Sequence, residues 1–160
     1  MVRDAEVGDV EAIARVQVRG WQQAYSHVFD EDDLAGISVE RRQEVAREAL
    51  GSAVALVAGR DGEVLGFAFA GPSRKTEGVA ELYAIYVDPN AWGTGLGREL
   101  IVEVERRLRE QGFSEAELWV LEDNPLGRRF YEAAGWSSAD VRPIKIFATE
   151  VPEIRYRKKL

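Results

Sequence analysis

Glycine recurs at alternate positions in Trp92-Gly93-Thr94-Gly95-Leu96-Gly97, and Arg98 follows at once. Residues without a Cβ permit unusual dihedrals and let a ligand lie against the main chain. A helix starting here would offer unpaired N–H groups and the positive end of its dipole. Together these features make an anion site, typically for phosphate. Arg98 would add a charge-assisted donor. The loop lacks the Gly-Lys-Ser/Thr ending of a P-loop. It also lacks the sixth-position glycine of a dinucleotide fingerprint, because Arg98 stands there. A sharp strand-to-helix turn, with no ligand, is the other reading of the glycines alone.

The elements around the loop must position it. Residues 79–87, Val-Ala-Glu-Leu-Tyr-Ala-Ile-Tyr-Val, are rich in β-branched and aromatic side chains and read as a strand leading in. Leu96, Leu100, Ile101, Val104 and Leu108 share one helical face leading out, and Gly112 ends that helix. Residues 1–7 read as a short first strand. Val10, Ile13, Ala14, Val18, Trp21, Tyr25 and Val28 follow helical spacing, with Asp9 as N-cap and Gln17 as the exception. Residues 26–38 break the pattern. Ser38 caps a second helix that stops at Gly51. Residues 54–59 and 64–71 form a hairpin around Asp61-Gly62. Residues 115–122 are a strand, and 125–135 a short helix opening with Pro125 and closing at Gly135. Residues 143–151 and 153–160 read as two closing strands. The resulting order is β-α-α-β-β-β-α-β-α-β-β, an α/β fold of one domain over 1–160 with a mixed central sheet and helices on both faces.

The 160 residues carry a net charge of -7, which disfavours nucleic-acid and anionic-membrane partners because both need a basic footprint. Acidity suits a cationic partner and also simply aids solubility. No apolar run approaches the roughly 18 residues of a membrane span. The amino terminus has acidic residues and no apolar core, unlike a secretory signal. Cysteine is absent, which removes disulfides, thiolate metal sites and a cysteine nucleophile. The expected setting is the cytoplasm, with no metal.

Two stretches together carry a more specific signal. Residues 80–101 and then 118–136 (Leu-Trp-Val-Leu-Glu-Asp-Asn-Pro-Leu-Gly-Arg-Arg-Phe-Tyr-Glu-Ala-Ala-Gly-Trp) resemble the GCN5-related N-acetyltransferase, or GNAT, family. That family's signature is a strand, an Arg/Gln-x-x-Gly-x-Gly/Ala loop opening a helix, then a second strand. The second strand ends near an asparagine, before a helix with a tyrosine and a Gly-aromatic close. Trp92 departs from the family's Arg or Gln at the first loop position, and backbone amides do most of the phosphate binding there.

The resemblance implies acetyl transfer from acetyl-CoA to a primary amine of a small molecule or peptide. It implies cofactor contacts from Ile85, Tyr86 and Val87, from Trp92, Gly93, Thr94, Gly95, Leu96, Gly97 and Arg98, and from Asn124, Gly127, Phe130 and Tyr131. The backbone of 85–87 would pair with the pantetheine arm like an added strand, and the Val87 N–H would polarise the thioester carbonyl. A lysine-like amine at neutral pH is free base only about once in a thousand molecules, so a base is needed. Glu81 holds the family's position for it, on a face that simple alternation shares with Tyr83, Ile85 and Val87. Tyr131 holds the position of the acid that protonates the departing thiolate. Asn124 would bind pantetheine, cap the helix before Pro125, or do both.

In the family the first two helices wall the acceptor site, so Trp21, Tyr25 and Glu81 are candidate substrate contacts. Aromatic rings there could hold an ammonium group, and Asp30–Asp33 could attract one. Core packing of both rings, with a solvated acidic loop, is the other reading. His27, the single histidine, reads as a loop residue. The expected partners are acetyl-CoA and an amine acceptor, with a homodimer left open. A CoA-binding module without catalysis is the alternative function; the presence of both Glu81 and Tyr131 argues against it.

Overall fold

Strand-forming residues set seven β-strands around five helices. In chain order they are β1 (Val2–Asp4), α1 (Val10–Ala24), α2 (Glu31–Ala35), α3 (Val39–Ala49), β2 (Val54–Arg60), β3 (Glu63–Pro72), β4 (Ala80–Val87), α4 (Leu96–Glu110), β5 (Glu115–Leu121), α5 (Pro125–Ala133), β6 (Ser137–Ile146) and β7 (Thr149–Lys159). The computed structural model describes residues 1–160. The strands make one mixed sheet in the order β1-β2-β3-β4-β5-β7-β6. All neighbours are antiparallel except β4 and β5. No helix is long and apolar enough to cross a membrane.

Helices cover both faces. The α4 stripe of Leu96, Leu100, Ile101, Val104 and Leu108 is fully buried against Val54, Leu56, Ala68, Leu82 and Leu118. Phe130 and Tyr131 of α5 pack on the same core. On the other face, Val10, Ile13 and Val16 of α1 and Ala46 of α3 meet Val57, Phe67 and Phe69.

The sheet opens between β4 and β5. These parallel strands pair only at Ala80↔Ala116 and Glu81↔Glu117. Beyond that point they diverge toward the glycine loop on one side and Asn124 on the other.

A bulge in β4 changes what each side chain faces. The register with β3 slips between Ala84↔Phe69 and Leu82↔Ala70, leaving Tyr83 as the extra residue. Tyr83 and Ala84 therefore both pack toward α1 and α3, whereas Leu82, Ile85 and Val87 pack toward α4. The expectation that Glu81 shares a face with Ile85 and Val87 is thereby corrected. Glu81 alternates with Ala80 and Leu82 and lies on the α1 side.

Three local expectations also change. Asp9 does not cap α1 with its side chain; its backbone is already helical. Its carboxylate instead accepts from the Glu6 N–H and from both Arg3 terminal nitrogens, each at 2.8 Å. Helix α1 ends at Ala24, ahead of Val28, and a short helix α2 occupies part of the irregular segment. Residues 143–151 are not one strand: Phe147 and Ala148 form the turn of the β6–β7 hairpin, both with positive φ (51° and 62°). Such turns favour Gly or Asn. Phe147 is held instead by packing, its ring 5.2 Å from Phe29 and 6.4 Å from Trp21. The Asp61-Gly62 turn, by contrast, forms where its residues signal it.

Candidate active site

The glycine loop folds as a left-handed cap on α4. Gly93 and Gly95 have φ of 78° and 92°, a region L side chains resist. Gly95 is the N-cap, and its carbonyl accepts the first helical bond, from the Glu99 N–H at 3.0 Å. The amides from Gly95 to Arg98 are left pointing out of the helix start. Thr94 is not part of that set, because its N–H turns back to the Ala91 carbonyl and its hydroxyl donates there too, at 2.6 Å. Gly97 serves a different need: a Cβ there would lie 3.0 Å from Phe130 Cε1, so its bareness lets α5 approach.

Trp92 replaces the family's polar residue with a brace. Its indole N–H donates to the Val87 carbonyl at 2.8 Å and ties the loop to the end of β4. That carbonyl points into the opening. The Asp88 N–H donates to Leu65 at 2.7 Å, and hydrogen-bonded pairs alternate along an antiparallel ladder. Tyr86 and Ala84 are then the bonded partners of β3. Ile85 and Val87 turn their N–H and C=O groups away from β3, toward the gap, where β5 no longer pairs with them.

The far wall is α5. Asn124 caps it by accepting from the Gly127 N–H at 2.9 Å and donates across the gap to the Tyr25 hydroxyl at 3.1 Å. A Cβ at Gly127 would lie 2.7 Å from the Asn124 side chain, which explains that glycine. Phe130 and Tyr131 follow on the inner side of the helix, with ring centroids 5.4 Å apart.

These walls enclose a cavity of about 440 Å³ that runs through the split sheet. Ile85, Tyr86, Val87, Trp92, Gly93, Gly95, Leu96, Gly97, Arg98, Asn124, Gly127, Phe130 and Tyr131 all line it. On the α1 side it reaches Gly20 and Ala24. Two exposed cations stand at its α4–α5 end, Arg98 and Arg129, and neither is in an ion pair.

Two phenols, Tyr86 and Tyr131, line the cavity, and a third, Tyr25, lies close to both. Burial pushes the Tyr131 hydroxyl well above the ordinary phenol value, with Tyr86 and Tyr25 close enough to add to the shift. Tyr25 is raised by burial and next by Tyr86. Tyr86 is raised by burial, although its oxygen accepts from the Trp21 indole N–H at 2.7 Å. The Tyr131 phenol is therefore neutral throughout the ordinary pH range, and its hydroxyl makes no hydrogen bond within the protein.

Glu81, Trp21 and Tyr25 do not line the cavity. Trp21 and Tyr25 stack in an aromatic cluster with Phe29 and Phe147, and Tyr25 is buried. Glu81 is buried with both oxygens engaged. Oε1 accepts from the Arg74 backbone N–H at 3.0 Å, and Oε2 pairs with Arg74 Nη2 at 2.6 Å. Some four residues of strand, about 13 Å, separate it from Ile85. His27 sits in a loop beside Asp123, 3.1 Å from its carboxylate.

Several lining residues were not singled out from sequence: Gly20, Ala24, Ala91, Leu126 and Arg129. Gly20 carried a readable signal, since glycine inside a helix costs about 1 kcal/mol and usually has a packing reason. Here a Cβ would meet the Tyr86 ring at 3.1 Å. The others look like ordinary helix residues in sequence.

The chain matches the family model described as "Acetyltransferase (GNAT) family" over residues 12–136. It is 34% identical over 134 residues to the uncharacterized N-acetyltransferase YuaI of Bacillus subtilis (strain 168), covering 82% of this chain and 77% of that protein. A mycothiol acetyltransferase of Sanguibacter keddieii is 40% identical over 90 residues, 54% of this chain, and the match spans only 29% of that longer protein. The fold is shared with the PaiA N-acetyltransferase of Thermoplasma acidophilum, solved in complex with coenzyme A. The TM-score is 0.83 at 21% identity, over 100% of this chain and 98% of that one. On the strength of the family model and of the relative in Bacillus, the chain belongs to the GNAT acetyltransferase family.

Proposed function

We propose that the protein transfers acetyl from acetyl-CoA directly to a primary amine. The observation that carries this reading is the through-sheet cavity. It joins an anion cradle at one end to a strand edge that β5 leaves unpaired and a neutral, half-buried phenol at the other. The pyrophosphate fits the amides of Gly95–Arg98, with Arg98 and Arg129 as counter-charges. The pantetheine amides fit the unpaired groups of Ile85 and the N–H of Val87, whose carbonyl is already held by Trp92. An N–H of that edge, Val87 or Ile85, polarises the thioester carbonyl.

The amine nitrogen attacks the carbonyl carbon, the C–N bond forms and the C–S bond breaks. Tyr131 protonates the departing thiolate and regains a proton from the nitrogen of the intermediate. The ammonium form must first lose a proton, so one proton is released overall. Glu81 accepts it through water, because its carboxylate lies off the cavity and is held by Arg74. Transfer is direct, with no acetyl-enzyme, in keeping with a chain that lacks cysteine. The protein acts as a single domain over 1–160.

Labelled acetyl-CoA offered with a panel of amines tests the reading, alongside calorimetry of CoA binding. Label in an amide product is the expected result. Tight CoA binding without turnover on any amine would identify a CoA-binding module instead.

A further inference from the structure

The α1 face of the sheet is only half covered by helices. Helices α1 and α3 pack on β2, β3 and β4. Beyond them β4, β5, β7 and β6 carry a floor of charged and aromatic side chains. The cavity opens onto this face at Gly20 and Ala24. With the phosphates assigned to the opposite end in the reading above, an acceptor comes from here.

Trp119 is the centre of that floor. It lies two residues before Leu121, which packs with Tyr25 and Phe29 beside the cavity. Arg142 from β6 stacks over its ring at 3.7 Å, and Lys75 from the β3–β4 loop places Nζ 4.7 Å from the ring centroid. The buried acids nearby are already matched. Glu81 pairs with Arg74, Glu117 with Arg155, and Glu153 with Arg142. Asp140 at the rim shares Arg155.

Two donors in this cluster are left over. Lys75 has no ion-pair partner, and burial, then the Arg142 charge, hold its ammonium below the ordinary lysine value. The Trp119 indole N–H is buried without an acceptor. A buried donor left unsatisfied is costly, and a negatively charged acceptor would satisfy the Trp119 N–H while meeting the exposed Lys75 ammonium beside it.

We propose that the acceptor is an amino carboxylate whose carboxylate docks on Lys75 and the Trp119 indole N–H. This rests on the acetyl-transfer reading above. The parallel pairing ends at Glu81↔Glu117; Trp119 lies two residues beyond it on β5, and Ile85 four residues beyond it on β4. The strands diverge from there, so amine and carboxylate are separated by at least roughly 7 Å, two residues of strand. That distance exceeds an α-amino acid and calls for an ω-amino acid of about five carbons or more, or a dipeptide.

The test compares 5-aminopentanoate with 5-aminopentanamide, which differs only in the charge. The acid is expected to be favoured in kcat/KM by about ten- to a hundredfold, mostly through KM, the effect of one charge-assisted contact. Lys75→Gln breaks no ion pair and keeps the fold; Trp119→Phe keeps the ring and removes the N–H. Each should shrink the acid-to-amide ratio, and together they should bring it near one. Equal kcat/KM for acid and amide, or a preference that survives both substitutions, overturns the proposal. Calorimetry of 5-aminopentanoate on the CoA-saturated protein reads the docking without turnover. Binding that is lost in Lys75→Gln supports the carboxylate site even if acetyl transfer fails, and absence of binding overturns the site while leaving CoA affinity and transfer to other amines as the separate measure of the enzyme.

Discussion

Replacing Tyr131 by Phe removes one oxygen from the inner end of the cavity and little else. The hydroxyl has no protein partner, so no buried group is orphaned, and the ring keeps its contacts with Phe130 and Tyr156. Stability should change by less than about 1 kcal/mol, a Tm shift within roughly 4 °C for a chain of this size. CoA affinity should stay within about threefold, since the phosphate and pantetheine groups rest on backbone elsewhere. The chemical step is different. General acid catalysis is worth about 10²–10⁴-fold, or roughly 2.7–5.4 kcal/mol of barrier. Burial holds the phenol above its ordinary value near 10, so it stays protonated through pH 9 and the defect should be the same from pH 6 to 9. Single-turnover rates with one reactive amine, taken alongside CoA calorimetry, measure both quantities. A rate within threefold of the parent would reduce Tyr131 to a packing residue. A CoA affinity that falls as far as the rate would show that the substitution had disturbed the cavity.

Other substitutions probe the base, the loop and the buried phenols. Glu81→Gln should spare CoA binding, and its rate defect should shrink as pH rises and more amine arrives deprotonated; a pH-independent defect in the same single-turnover assay would remove Glu81 from the role of base. Gly95→Ala forces a Cβ into φ 92° and should cost about 1–2 kcal/mol in thermal unfolding, with weaker CoA binding because the amides turn. Gly97→Val meets Phe130 and should cost about 1–3 kcal/mol and narrow the cavity, and parental CoA affinity in calorimetry would place the phosphates elsewhere. Raised values for Tyr25, Tyr86 and Tyr131 mean that the unfolded chain loses phenolic protons first, near pH 10, so stability should fall as pH rises beyond that. The slope approaches roughly 1.4 kcal/mol per pH unit for each phenol, and denaturant melts at pH 9 and pH 11 for the parent and Tyr131→Phe would show it.

Much of this protein is written in local chemistry. The alternate glycines, the amphipathic stripe from Leu96 to Leu108 and the Asn124-Pro125 helix start each act within a few residues, so spacing alone reveals them. The same holds for the Asp61-Gly62 hairpin and the Ser38 cap, whose hydroxyl accepts from the Arg41 N–H at 3.0 Å. Most of the residues that line the cavity on its glycine-loop and α5 walls could therefore be read along the chain. What only tertiary structure decided depends on partners distant in sequence. The bulge at Tyr83 arises from the β3 register, and it moves Glu81 to a face that alternation does not give it. The pairing of Glu81 with Arg74 needs the β3–β4 loop to fold back over the sheet. Phe147 can turn with positive φ because Phe29 and Trp21, more than a hundred residues earlier, hold its ring. The proposed acceptor face is built the same way, around Trp119, with Lys75 and Arg142 reaching its ring from two other segments. No pattern within one segment could have announced it, since strand order and register alone bring the three together.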